Sequence, residues 1–207
     1  MDEIIEYMKQ KYNPLSIILY GSYANGTNNE NSEFDALVIS YDHEQFHDTS
    51  FVSGIALDVF VYPASYFDGE FDCSGFVQIF DGKILADSEE RGKTLQRKVL
   101  SYLQNRPQKS KSEIDASVDW CIKMLARARR SDAEGKYRWH WVLTESLEIF
   151  CDIKQHPYLG PKKALRWMEE SFPIAFGYYK KALEDFNMDS LENWIAYIEN
   201  ANGAVPE

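Results

Sequence analysis

From Tyr12 to Gly82 the chain contains no lysine and no arginine, against eleven carboxylates. The deficit belongs to one half. Residues 1–104 carry a net charge of −10 and residues 105–207 a net charge of −1, within −11 for all 207 residues. Such a balance disfavours a phosphate-coated partner such as DNA or RNA, whose capture needs a basic surface. It suits a site that holds cations: a metal ion, a cationic substrate, or both. The plainer alternative is an ordinary acidic soluble protein. Cysteine is also scarce. Cys73, Cys121 and Cys151 are scattered, odd in number and without metal spacing. This argues against a disulfide framework and a zinc site, and for a reducing cytoplasm. No stretch approaches ~18 consecutive apolar residues, so no membrane span is expected. The opening MDEIIEYMKQKY is acidic and lacks the basic start and apolar run of a signal peptide. What is present is 44% apolar and 14% aromatic residues, which excludes wholesale disorder. At ~150 residues per domain, the length suits one or two modest units.

The halves differ in pattern as well as in charge. Residues 2–12 read as a helix. LSIILY (15–20), FDALVIS (34–40) and GIALDVFVYP (54–63) read as strands bounded by Gly, Ser, Asn or Pro. VQIFDGKILAD (77–87) reads as a hairpin around Asp81-Gly82. A helix is expected from an N-cap at Ser88 to about Gln104, with Glu89 and Glu90 in its first turn. Helices mixed with strands imply a mixed α/β layer over residues 1–104. The polar stretch NRPQKSKS (105–112) reads as a linker. Beyond it, over 113–207, strand signals stop and an all-α bundle is expected. Ser112 is the expected cap of a helix that buries Ile114, Val118, Cys121 and Leu125. A second helix runs from about Lys136 to Lys154, with Trp141, Leu147 and Cys151 facing inward. Pro161 and Pro173 each open a further helix. Asp189, with Glu192 three residues on, starts the last one, which stops before Gly203.

The chemistry concentrates in LYGSYANGT (19–27) and SEFDAL (32–37). A strand ends in Gly21-Ser22. Gly21 lets the backbone approach a ligand closely, and the amides that follow form an anion-binding arrangement. Glu33 and Asp35, two apart at a strand entrance, share a face and can present two carboxylates to one divalent ion. Asp58 interrupts the apolar run IALDVFV, and a lone acid there is costly to bury unless paired or metal-bound. If that strand neighbours 34–40, Asp58 reaches the same ion. Three carboxylates beside Gly-Ser form a layout for metal-assisted phosphoryl or nucleotidyl transfer.

With these residues in place, the segment resembles the nucleotidyltransferase superfamily that includes DNA polymerase β and the antibiotic nucleotidyltransferases. Gly21-Ser22, then Glu33-Phe34-Asp35, then Asp58 in a later strand match its pattern, and GSYANGT…SEFD looks like the small bacterial branch. Glu33 stands where Asp is usual. The motif covers residues 15–62, and the helical tail is similar in architecture to the substrate-binding bundle of the aminoglycoside-type enzymes. The resemblance implies that Glu33, Asp35 and Asp58 hold Mg²⁺, and that Gly21, Ser22 and Ser32 contact the nucleoside triphosphate. It further implies that AMP passes from ATP, or another nucleoside triphosphate, to a hydroxyl of a small cationic acceptor such as an aminoglycoside, in the cytoplasm. Alternatives are a protein AMP-transferase of a toxin–antitoxin type and a catalytically weak nucleotide-binding module.

Two further expectations concern the helical half. Lys162 and Lys163 start a helix, where a cation opposes the helix dipole. They are candidates to supply the positive charge for the triphosphate that residues 12–82 lack; otherwise they are ordinary surface lysines. The resemblance implies that the general base is either Asp58 or a glutamate of the helical half. Glu145 is favoured there, because burial among apolar neighbours would raise its pKa toward that of a working base. His140 reads as structural, and His43, His47 and His156 as loop residues without a role.

Overall fold

The computed structural model describes residues 1–203; the last four residues of the expected helical region lie outside the described residues. The chain divides into two compact units, Met1–Arg106 and a second from Pro107 onward.

The first unit is a mixed sheet between helices. Helix α1 (Asp2–Tyr12) carries Asp2 and Glu3 in its first turn and Lys9 and Lys11 in its last, which complements the dipole. It buries Ile4, Met8 and Tyr12. The strands are β1 (Pro14–Leu19), β2 (Phe34–Ser40), β3 (Phe46–Asp48), β4 (Phe51–Val52), β5 (Ile55–Pro63) and β6 (Lys83–Asp87). Their order is β3-β5-β2-β1-β6, with β4 beside β5. β1 lies antiparallel to β2 and β6, while β2 and β5 are parallel. Strand alternation divides the core. Ile17, Leu19, Ala36, Val38, Val59 and Val61 pack with α1 on one face. On the other, Ile18, Leu37 and Ile39 pack with Leu95 and Val99 of helix α3 (Arg91–Gln104).

Two expectations here need correction. Residues 77–80 do not form the first arm of a hairpin. Cys73–Ile79 coils into 3-10 turns, and only Lys83–Asp87 is a strand, paired with β1. The reason is packing: Phe76 and Ile79 are buried, and Phe76 meets Tyr62, Phe67 and Phe71 edge-on. Gln96 then ties the segment down, its amide donating to the Ile79 and Gly82 carbonyls at 2.9 and 2.8 Å. Nor does Ser88 cap α3. Its N–H continues the sheet to the Leu15 carbonyl, and Glu89 and Glu90 adopt left-handed backbone with φ of 58° and 53°. The Asp87 carboxylate takes over the capping, accepting from the N–H groups of Gly92 and Lys93 at 2.7 and 3.1 Å.

Every regular element among the described residues of the second unit is a helix: α4 (Lys111–Ala128), α5 (Ala133–Ile153), α6 (Pro161–Ser171), α7 (Pro173–Asp185) and α8 (Met188–Gly203). The cap of α4 is Ser110, not Ser112, because Glu113 sits three residues after Ser110 and completes a capping box. Asp132 caps α5. The Asn187 side chain, rather than Asp189, caps α8 by accepting from the Ser190 N–H at 2.9 Å. Pro161 and Pro173 open their helices as expected. Trp139, Val142, Leu143, Ser146, Leu147 and Phe150 define the buried stripe of α5. Trp141 falls off that stripe and is 39% exposed, so the expectation that it faces inward is wrong. Trp194 is fully buried, its indole N–H donating to Ser146 Oγ at 2.8 Å. No helix among the described residues is long and apolar enough to cross a membrane.

Candidate active site

Beyond Leu19 the chain turns against the start of β2. The Tyr20 N–H donates to the Asp35 carbonyl at 3.0 Å. Gly21 then adopts φ +66°, and a β-carbon built on it would lie 2.1 Å from Asp35 Oδ2. Only glycine tolerates both the left-handed backbone and that approach. The Gly21-Ser22 turn and the Asp35 carboxylate are therefore one piece of structure, although thirteen positions separate Ser22 from Asp35. Ser22 lies in the five-residue helix α2 (Gly21–Asn25).

Asp35 and Asp58 are direct partners in the parallel β2–β5 register. Residues paired in this way on neighbouring strands, about 4.8 Å apart, project to the same face. Asp58 is half-buried, its side chain 29% exposed. Glu33 is exposed, one position before β2, and Phe34 between it and Asp35 is buried against Tyr23. Ser32 belongs to the turn leading in: its Oγ accepts from the Asn29 N–H at 2.9 Å. Among the described residues, no three His, Cys, Asp or Glu side chains gather closely enough to cage a metal ion. Two carboxylates on one face nonetheless fit Mg²⁺, which favours oxygen donors and is usually held by one or two carboxylates, substrate phosphates and water.

Two residues at this site carry no sequence motif. Tyr20 is buried beneath it. Burial pushes its phenol pKa up, and the negative charges of Asp58 and Asp35 push it further, against a hydrogen bond from Gln78. The charge effect shows that both carboxylates stand within electrostatic reach of the Tyr20 hydroxyl. The second is His47. It lies in β3, not in a loop, and its Nε2 stands 2.5 Å from Asp58 Oδ1. Its ring stacks on Phe60 at 4.2 Å with planes 2° apart.

The remaining candidates belong to the second unit. Glu145 is exposed, and the partial burial expected of it is not found. It lies one turn beyond Trp141, whose ring meets Trp120 edge-on at 5.3 Å. Burial and then the Glu145 charge push the Cys121 thiol up to about 12. Cys151 is likewise pushed up to about 12, by burial and then by Asp152 and Glu148. Both thiols are kept protonated and unreactive. Lys162 and Lys163 occupy the first turn of α6, after Gly160 at φ +87°. Lys162 is exposed and Lys163 half-buried.

Residues 1–100 match the family model described as "Nucleotidyltransferase domain". The match covers almost the whole of the first unit and supports a nucleotidyltransferase. Among solved structures, the chain is similar to a nucleotidyltransferase-like protein from Exiguobacterium sibiricum 255-15. The identity is 12% and the TM-score 0.44, over 96% of this chain and 71% of that one. A toxin–antitoxin structure with AMP-PNP matches at 20% identity and a TM-score of 0.34, over 58% of this chain and 97% of that one. A mutant of the MntA–HpeT toxin–antitoxin matches at 18% identity and a TM-score of 0.35, with the same coverage. No curated protein matches the chain.

Proposed function

We propose that the protein transfers a nucleoside monophosphate, AMP from ATP, to a hydroxyl of a small cationic acceptor in the cytoplasm and releases pyrophosphate. The observation that carries this reading is the in-register pair Asp35 and Asp58 beside Gly21, whose missing β-carbon makes room for the Asp35 carboxylate. Asp35 and Asp58 hold Mg²⁺, with Glu33 on the same side by strand alternation. A magnesium ion held by these carboxylates would supply charge neutralisation at the phosphate oxygens. Gly21 and Ser22 contact the triphosphate, and Ser32 holds the turn that delivers Glu33 and Asp35.

The acceptor hydroxyl must lose its proton as it attacks phosphorus. We assign that proton to Asp58. Glu145 is exposed and lacks the burial that would have suited it to the task. The run of 71 residues, Tyr12 to Gly82, without Lys or Arg favours a cationic acceptor. The half-exposed Trp141 beside Glu145 offers such a ligand an aromatic face and a carboxylate together. Turnover of ATP labelled at the α-phosphate, measured against hydroxyl-bearing aminoglycosides, neutral sugars and purified toxin proteins, tests the reading. Label on the aminoglycosides supports it. Label only on a protein replaces the acceptor, and label nowhere removes the transferase reading.

A further inference from the structure

β3 is three residues long and lies at the edge of the sheet, yet it is fixed from both faces. Alternation sends Asp48 to the α1 side and His47 to the other. The Asp48 side chain, 5% exposed, accepts from Lys11 Nζ at 2.7 Å, from the Ser50 N–H at 2.8 Å, and from the Tyr12 hydroxyl. Burial alone would raise its pKa, but the hydrogen bonds of Lys11, Ser50 and Tyr12 outweigh burial and hold it well below the usual carboxylate range. This buried anchor clamps β3 onto α1. On the opposite face, His47 pairs directly with Phe60 in the antiparallel β3–β5 register. Asp58, two residues before Phe60, is its diagonal neighbour, within reach of a long side chain. The parallel stack on Phe60 sets the imidazole plane, and Nε2 meets Asp58 Oδ1 at 2.5 Å. Facing a carboxylate, Nε2 carries the proton and donates it.

We infer that His47 is a positioning residue for Asp58. It occupies Oδ1 and fixes the carboxylate rotamer, so that Oδ2 is the oxygen left for the metal and the acceptor. The inference rests on the proposed metal-assisted transfer at this site. It concerns a contact that neither the family match nor any sequence motif assigns. Partners that orient ligating carboxylates typically contribute about 10–100-fold in metal affinity or activity. The anchoring through Asp48 and the stack on Phe60 explain why an edge strand can hold such a partner in place.

The test is Mn²⁺ binding, read from the electron paramagnetic resonance signal of the free ion, in the wild type and in Asp35→Asn, His47→Phe and His47→Gln. Phenylalanine keeps the stack and removes the donor; glutamine keeps an N–H near the Nε2 position. The expected result is a weakening of at least ~10-fold for His47→Phe and restoration to near wild type in His47→Gln. In steady-state transfer, His47→Phe should lower kcat and leave KM for ATP nearly unchanged. Wild-type Mn²⁺ affinity in His47→Phe would overturn the inference and leave the metal site standing, provided Asp35→Asn weakens binding. Equal weakening in His47→Phe and His47→Gln would also overturn it, reducing the contact to packing. If Asp35→Asn binds Mn²⁺ like the wild type, or the wild type binds none, the proposed metal site fails and the inference fails with it.

Discussion

The two units use their unusual residues in opposite ways. In the first, two exceptions to the apolar pattern converge on one carboxylate. Asp58 interrupts an otherwise apolar strand and stands beside Asp35, and Gly21 is the glycine whose replacement would strike that carboxylate. In the second, most of the conspicuous residues serve packing. Trp139 and Trp194 are buried, His156 stacks on Trp167 at 3.8 Å, and the two cysteines are sealed in the core. The physical reason is cost. A buried charge must be paired or ligated to persist, whereas an indole or a thiol lowers free energy by being buried. An odd polar residue in a strand is therefore a stronger pointer to function than an odd aromatic in a helix.

The comparison can be broken at several places, beginning with the strongest. Asp35→Asn should reduce nucleotidyl transfer to background while leaving the thermal midpoint unchanged or raised, because it removes ligand charge without changing volume. A large drop in stability would mean that the carboxylate serves the fold. Gly21→Ala should cost both properties: the φ of +66° and the 2.1 Å clash with Asp35 predict a loss of about 1–3 kcal/mol in denaturant unfolding, together with loss of turnover. Asp48→Asn tests a polar group that serves structure within the chemical unit. It should lower stability by about 2 kcal/mol at pH 7 without abolishing transfer. The sign with pH follows from its depressed pKa. The Asp48 contribution is complete above the unfolded carboxyl value of about 3.9 and is lost as pH falls toward the lower folded value. Urea melts from pH 7 down to pH 2 should therefore show the difference between wild type and variant shrinking below about pH 4, without vanishing at pH 2. The smallest effect belongs to the exposed face of the second unit. Glu145→Gln should change stability by less than about 0.5 kcal/mol and raise KM for a cationic acceptor several-fold with kcat little altered. A fall in kcat of ~100-fold or more would instead make Glu145 the base.

Much of the first unit was legible because strand and turn chemistry are local. The runs at 15–20, 34–40 and 54–63 became β1, β2 and β5, and the Gly-Ser turn, the Glu33–Asp35 spacing and the lone Asp58 could all be read directly. The adjacency of Asp35 and Asp58 was conditional on strand order, which is a long-range property. His47 was not legible at all. A three-residue strand leaves almost no periodic signal, and its partner lies eleven positions away across a register that only the folded sheet defines. The segment 77–80 misled because Asp81-Gly82 suggested a hairpin turn while burial of Phe76 and Ile79 under α3 favoured tight turns. In α5, Trp141 misled because hydrophobicity alone does not say which face a tryptophan takes; the stripe through Trp139, Val142 and Ser146 decides it.

The central claim is that the Asp35–Asp58 pair performs nucleotidyl transfer, and ATP labelled at the α-phosphate tests it most directly. With Mg²⁺ and a hydroxyl-bearing cationic acceptor, the account predicts that α-label moves to the acceptor, that pyrophosphate appears in equal amount, and that both stop in Asp35→Asn. Release of inorganic phosphate from the γ-position with no α-label on the acceptor, or α-label transfer that persists in Asp35→Asn, would contradict it.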